Sequence, residues 1–89
     1  MSEPVPCRLR DQRLELVAFD GKLFKLRSLA AFAPGQPLTL EAQFNRSVTL
    51  ELKSVGSVKR PDGSFEVRAR AMTLHKDARA ALFDHFALA

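Results

Sequence analysis

Alternation with a period of two runs through the middle of the chain. From Leu38 to Asn45, the residues Leu38, Leu40, Ala42 and Phe44 take one parity and Thr39, Glu41, Gln43 and Asn45 the other, which is the pattern of a strand buried on one face. After a turn expected at Asn45-Arg46, Val48, Leu50 and Leu52 resume the apolar parity opposite Thr49, Glu51 and Lys53. The phase then slips. Val55 and Val58 cannot both continue the series begun at Val48, and Gly56 lies between them, so a bulge and bend is expected over Ser54 to Ser57. Pro61-Asp62-Gly63 predicts the next turn, and Phe65, Val67, Ala69 and Ala71 alternate with Glu66, Arg68 and Arg70 as a closing strand.

Upstream, the apolar run LELVAF from Leu14 to Phe19 is β-prone, and Asp20-Gly21 supplies a dipeptide that accepts positive φ in a tight hairpin. The returning strand covers Leu23 to Ser28, with Phe24, Leu26 and Ser28 on one face and Leu23, Lys25 and Arg27 on the other; the charged pair is expected to face water. Leu29 to Pro37 is a loop centred on Pro34-Gly35, beneath which Phe32 should tuck. Beyond Thr73 the period lengthens to about 3.6: Ala78, Leu82, Phe83 and Phe86 recur at helical spacing, with Asp77 in the first turn, and predict an amphipathic helix over about residues 77–88. Residues 1–12, broken by Pro4 and Pro6, read as a basic, flexible N-terminal arm whose removal should leave the remainder folded.

Residues 13–89 thus form a single domain. Five extended segments and a helix must cover one apolar face, and a small antiparallel β-barrel with a C-terminal amphipathic α-helix does so while removing exposed edges. The fold class is all-β with one helix. At 89 residues and 46% hydrophobic the chain supports one core and no second lobe around a deep cleft. Cys7 is the only cysteine, so an intrachain disulfide and a cysteine-rich zinc site are excluded, and a reducing, cytoplasmic setting is expected. Met1 to Pro6 lacks the features of a secretory signal, and no apolar run approaches the length of a membrane span.

Candidate chemistry narrows quickly. His75 and His85 are ten residues apart with no local carboxylate cluster, so no metal or cofactor is expected. The acids are scattered, no nucleophile elbow or phosphate loop occurs, and the four glycines are isolated turn or bulge residues; the chain does not read as an enzyme. The basic residues remain. They outnumber acids by 14 to 10, for a net charge of +4, and most are arginine, the side chain that grips phosphate with paired hydrogen bonds. Arg8, Arg10 and Arg13 lie close together, while Lys25 and Arg27, and Arg68 and Arg70, each share one face of a strand. Phe24, Phe44 and Phe65 fall in the apolar phase and look like core, which weakens a reading by base stacking on single-stranded nucleic acid.

The order of signals resembles the PilZ domain family, bacterial receptors and adaptors for cyclic diguanylate (cyclic-di-GMP). LFKLRSLAAFAPGQPLTLEAQF is similar to the family's strand, proline-glycine loop and strand; VTLELKSVGSVKRPDGSFEVRARA to its long hairpin; DARAALFDHFA to its closing helix. The resemblance implies a barrel of about six strands with a C-terminal helix. It also implies a ligand site built from an RxxxR arm and a [D/N]xSxxG turn, and neither motif is intact. Arg10 and Arg13 are one residue too close for the first motif, and Arg8 and Arg13 one too far apart. Anchoring the second on Ser28 places Leu26 at the acid and Ala31 at the glycine; anchoring it on Gly21 places Leu16 at the acid and Ala18 at the serine.

Residues that could contact cyclic diguanylate or another anion are Arg8, Arg10, Arg13, Arg27 and Ser28. The resulting expectation is a non-enzymatic, PilZ-like adaptor that acts through a protein partner with weak or no dinucleotide binding. A true cyclic diguanylate receptor using the N-terminal arginines is the alternative, and a basic barrel that binds nucleic acid is the third.

Overall fold

The computed structural model describes residues 3–44 and 46–86. Six strands and one helix follow in chain order: β1 Val5–Leu9, β2 Gln12–Phe19, β3 Leu23–Ser28, β4 Pro37–Gln43, β5 Ser47–Lys59, β6 Phe65–Thr73 and α1 Lys76–His85. All pairings are antiparallel, and the order β1-β2-β3-β6-β5-β4 closes on itself because β4 returns to β1 through Cys7 opposite Ala42 and Arg8 opposite Glu41. The barrel expected from the alternation is therefore present, with its helix.

The closing strand β1 corrects one expectation. The segment read as a flexible arm over residues 1–12 is, from Val5 to Leu9, a barrel strand whose Val5 and Cys7 lie in the core. Prolines at 4 and 6 do not prevent this, since alternate residues of a strand point their amides to opposite neighbours and an unpaired position tolerates a missing donor. A two-residue turn joins β1 to β2, with Arg10 in the left-handed region at φ 55. Arg-Asp is a weak turn signal beside Asn-Gly or Asp-Gly, so this hairpin left no clear mark in the sequence.

The inward parity is Val5 and Cys7 on β1, Leu14 and Leu16 on β2, Phe24 and Leu26 on β3, Leu38, Leu40 and Ala42 on β4, Leu50 and Leu52 on β5, and Val67 and Ala69 on β6, all buried. On β2 a bulge between Leu16 and Ala18 shifts the register, so that Phe19 turns inward in place of Ala18. Phe19 then stacks on Phe24 with ring centroids 4.4 Å apart. The β5–β6 pairing is irregular at two places, Glu51/Leu52 and Ser54/Gly56, and the latter falls where the phase slip placed it.

At this bulge β5 receives the Leu29–Gln36 loop. The Gly35 amide donates to the Ser54 carbonyl at 2.7 Å and the Ser54 amide to the Gln36 carbonyl at 2.8 Å. Phe32 is buried, as expected, with its amide donating to the Ser57 hydroxyl and its carbonyl accepting from Ser54 and Ser57.

Helix α1 caps one end of the barrel. Ala78 and Leu82 enter the core, and Phe83 and Phe86 meet Phe19 edge-on at 6.0 and 6.5 Å. The helix expected over 77–88 ends at His85; residues 87 and 88, like the turn residue Asn45, lie outside the described residues. His75 is the N-cap by backbone conformation, and an exposed ion pair at 3.7 Å ties Arg46 to Asp77 in the first turn. His85 hydrogen-bonds through Nε2 to the Glu3 carbonyl at 2.7 Å, fastening the helix end beside the entry to β1.

Candidate functional site

Strand register decides which charges share the outer wall. Because Arg8 pairs with Arg13, Arg8 with Glu41 and Glu15 with Arg27, the side chains pointing away from the core form one row across β4, β1, β2 and β3: Glu41, Arg8, Arg13 with Glu15, and Arg27. Pro6 on β1 shares this face and adds no bulk of its own charge. The row lines an outward groove of about 720 Å³, floored towards the barrel end by Ser28 and Ser64 and edged by Leu29. Leu29 is 86% exposed, an isolated apolar side chain at the groove's rim.

Four of the five residues singled out in the sequence, Arg8, Arg13, Arg27 and Ser28, meet in this groove. Arg10 does not; its place in the β1–β2 turn takes it off the wall. Glu15, Glu41 and Ser64 were not anticipated as lining residues. Their parity was legible, but the neighbours they face depend on β1 being a strand.

Arg27 departs from the expectation of a water-facing charge. It is half-buried, and its Nε has neither solvent nor a hydrogen-bond acceptor among the described residues. A buried donor left unpaired costs about 1–3 kcal/mol. No ion pair among the described residues engages Arg8, Arg13 or Arg27. The guanidinium groups are held by strand geometry rather than by mutual neutralisation.

Beside the groove the β5–β6 turn is fixed by Asp62, whose Oδ1 accepts the Ser64 hydroxyl at 2.6 Å and the Ser64 amide at 2.9 Å. These bonds, with smaller contributions from Arg60 and Arg27, hold the Asp62 carboxyl below its ordinary value. Ser28 is buried, and its Oγ accepts the Ala30 amide at 3.0 Å, turning the chain away from β3. Its hydroxyl therefore serves a local turn at the groove floor.

Cys7 borders the groove through its strand, yet its side chain is in the core, with Sγ donating to the Val5 carbonyl at 3.5 Å. Burial pushes the thiol up to about 12, a shift that hydrogen bonding from the Leu16 backbone only partly offsets. A thiol so placed is a packing group. Among the described residues no three of His, Cys, Asp and Glu converge as metal ligands, and no helix is long and apolar enough to cross a membrane.

The positions that would carry the acid of a [D/N]xSxxG turn are also in the core: Leu26 in one register and Leu16 in the other, both fully buried. Neither can reach the groove. No protein-family model, curated protein or solved structure matches the chain.

Proposed function

We propose that the chain is a non-enzymatic, cytoplasmic interaction module of PilZ type, whose recognition surface is the Arg8–Arg13–Arg27 groove. Its partner is a protein segment that carries carboxylate or phosphate groups together with a cation or amide donor. The observation that carries this reading is the mixed sign of the wall. Arg8, Arg13 and Arg27 are interleaved with Glu15 and Glu41 in one groove, with the Arg27 Nε lacking an acceptor. Alternating charge suits a polypeptide that bears both signs, whereas a ligand with two phosphates is repelled by the two glutamates.

The guanine edges of a cyclic dinucleotide need buried partners, and aliphatic replacement of those partners removes affinity strongly because donors and acceptors are left unpaired. Low affinity for cyclic diguanylate follows from Leu16 and Leu26 facing inward. Calorimetry with cyclic diguanylate tests this point. The proposal expects no saturable heat.

One observation favours a second reading, a genuine cyclic diguanylate receptor: Arg8, Arg13, Arg27 and Ser28 converge although the linear motif is broken. Saturable heat at micromolar ligand, lost on Arg8→Ala and Arg13→Ala, would establish that reading in place of the first.

A further inference from the structure

Around the barrel from the groove, the β3–β6–β5 wall places like charges face to face. Lys25 on β3 lies directly opposite Arg68 on β6, and Arg70 on β6 directly opposite Lys53 on β5. All four are exposed. Directly opposed side chains on a sheet face stand about 4.5–5.5 Å apart, and like charges at that spacing destabilise the sheet. Arg68 and Arg70 are two residues apart on one strand, about 7 Å, so the four cations fill a compact zigzag across three strands. Glu66 on the same strand holds Arg68 at 3.3 Å, and Glu51 shares the outer face two residues before Lys53 on β5.

We propose that this wall is a second binding surface, distinct from the arginine groove, and that it takes the phosphate backbone of a duplex nucleic acid. Charge complementarity carries the assignment. A duplex presents a negative charge about every 1.7 Å of its axis, a density that can answer four clustered cations at once. The face offers no aromatic ring, since Phe24 is buried and Phe65 half-buried, so it contacts backbone and does not stack unpaired bases. The exposed aliphatic residues at its margin, Val55, Val58 and Met72, are separate side chains on a convex wall, unlike the continuous apolar face that a lipid surface takes up. Binding is sequence-independent, because phosphate contacts position a protein without reading bases.

The test is fluorescence anisotropy of the full chain with a labelled DNA duplex of about 20 base pairs. Four phosphate contacts predict that affinity falls roughly 100-fold between about 50 and 200 mM salt, with a log–log slope of about −3 to −4. Lys25→Gln with Arg70→Gln removes one member of each opposed pair and should reduce the slope by about two. Arg68→Gln with Lys53→Gln removes the other members and should do the same, which guards against one variant failing to fold. A charge-matched control at the helix end, Arg46→Gln with Lys76→Gln, should leave the slope unchanged. The proposal is overturned by absence of binding at 50 mM salt or by an equal loss in the control. Capture of the chain by phosphatidylserine vesicles at a salt concentration that releases the duplex overturns it as well.

Discussion

Leu16 on β2 and Leu26 on β3 stand directly opposite one another, and both are sealed in the core. They are also the positions at which the resemblance to PilZ domains would place the acid of a [D/N]xSxxG turn, Leu26 in one alignment and Leu16 in the other. Burial keeps an acid at either position from serving such a turn. Leu26→Asp would bury a carboxylate without a partner, a cost of several kcal/mol, and would place no oxygen in the groove. Leu26→Ala should cost about 2–5 kcal/mol, and roughly 4–8 °C of melting temperature follows each kcal/mol in a domain of this size. Thermal melts rank the two variants, and Leu26→Asp should be the lower. Saturable cyclic diguanylate binding by Leu26→Asp would show that position 26 reaches the ligand.

Removing residues 1–12 should unfold the barrel. Val5 and Cys7 contribute to the core, and β1 is the strand through which β2 and β4 close the sheet. Loss of β1 exposes two strand edges at once. Scanning calorimetry should show no cooperative transition, whereas retention of the parent melt would mean that the remaining strands close without β1.

Cys7 should resist modification in the native state. Its thiol is raised to about 12 by burial, so thiolate is scarce at pH 8 and the sulfur is inaccessible. A disulfide reagent should react at the rate of unfolding, with fast labelling only in denaturant. The folded value lies above the ordinary 9.0. The stabilisation linked to the protonated thiol is therefore complete below that value and is lost as pH climbs towards about 12.

Acid sensitivity should trace to two turns. The Asp20 carboxylate accepts the amides of Leu23 at 2.7 Å and Lys22 at 2.9 Å, and Asp62 accepts the hydroxyl and amide of Ser64. Both carboxyls are lowered from the usual 3.8, chiefly by these hydrogen bonds. A depressed folded value means that each contributes stability above the ordinary value and loses it as pH falls through the folded one. Asp20→Asn and Asp62→Asn should each flatten the drop in melting temperature between about pH 6 and about pH 2.5. An unchanged drop in both variants would assign acid sensitivity elsewhere.

Much of the barrel was readable because alternation and turn chemistry agree. Leu38–Ala42, Val48–Leu52 and the Pro61-Asp62-Gly63 turn each signal one conformation by two independent routes, and the slip near Gly56 marked a real bulge. Two features were not readable. Strand β1 has alternating burial at Val5 and Cys7, but Pro6 within it, Pro4 just before it and its Arg10-Asp11 turn carry no local strand or hairpin signature; it is a strand because β2 and β4 both need a partner. The bulge at Leu16–Ala18 responds to Phe24 on the next strand, a tertiary demand that local pattern does not contain. The groove follows the same rule. Arginines at 8, 13 and 27 could be singled out by type, but their meeting with Glu15 and Glu41 required the register of four strands.

The most direct measurement is site-specific photo-cross-linking in cells, with the reactive side chain at Pro6 on the groove face and, as a reference, at Ala80 on the exposed helix surface. A groove that recognises a protein should give a discrete adduct from position 6, absent from position 80 and lost when Arg13→Gln is added. Arg13→Gln should meanwhile melt at or slightly above the parent temperature, because it relieves the opposed Arg8–Arg13 pair. Equal adducts from both positions, or an adduct from position 6 that survives Arg13→Gln, would contradict the account.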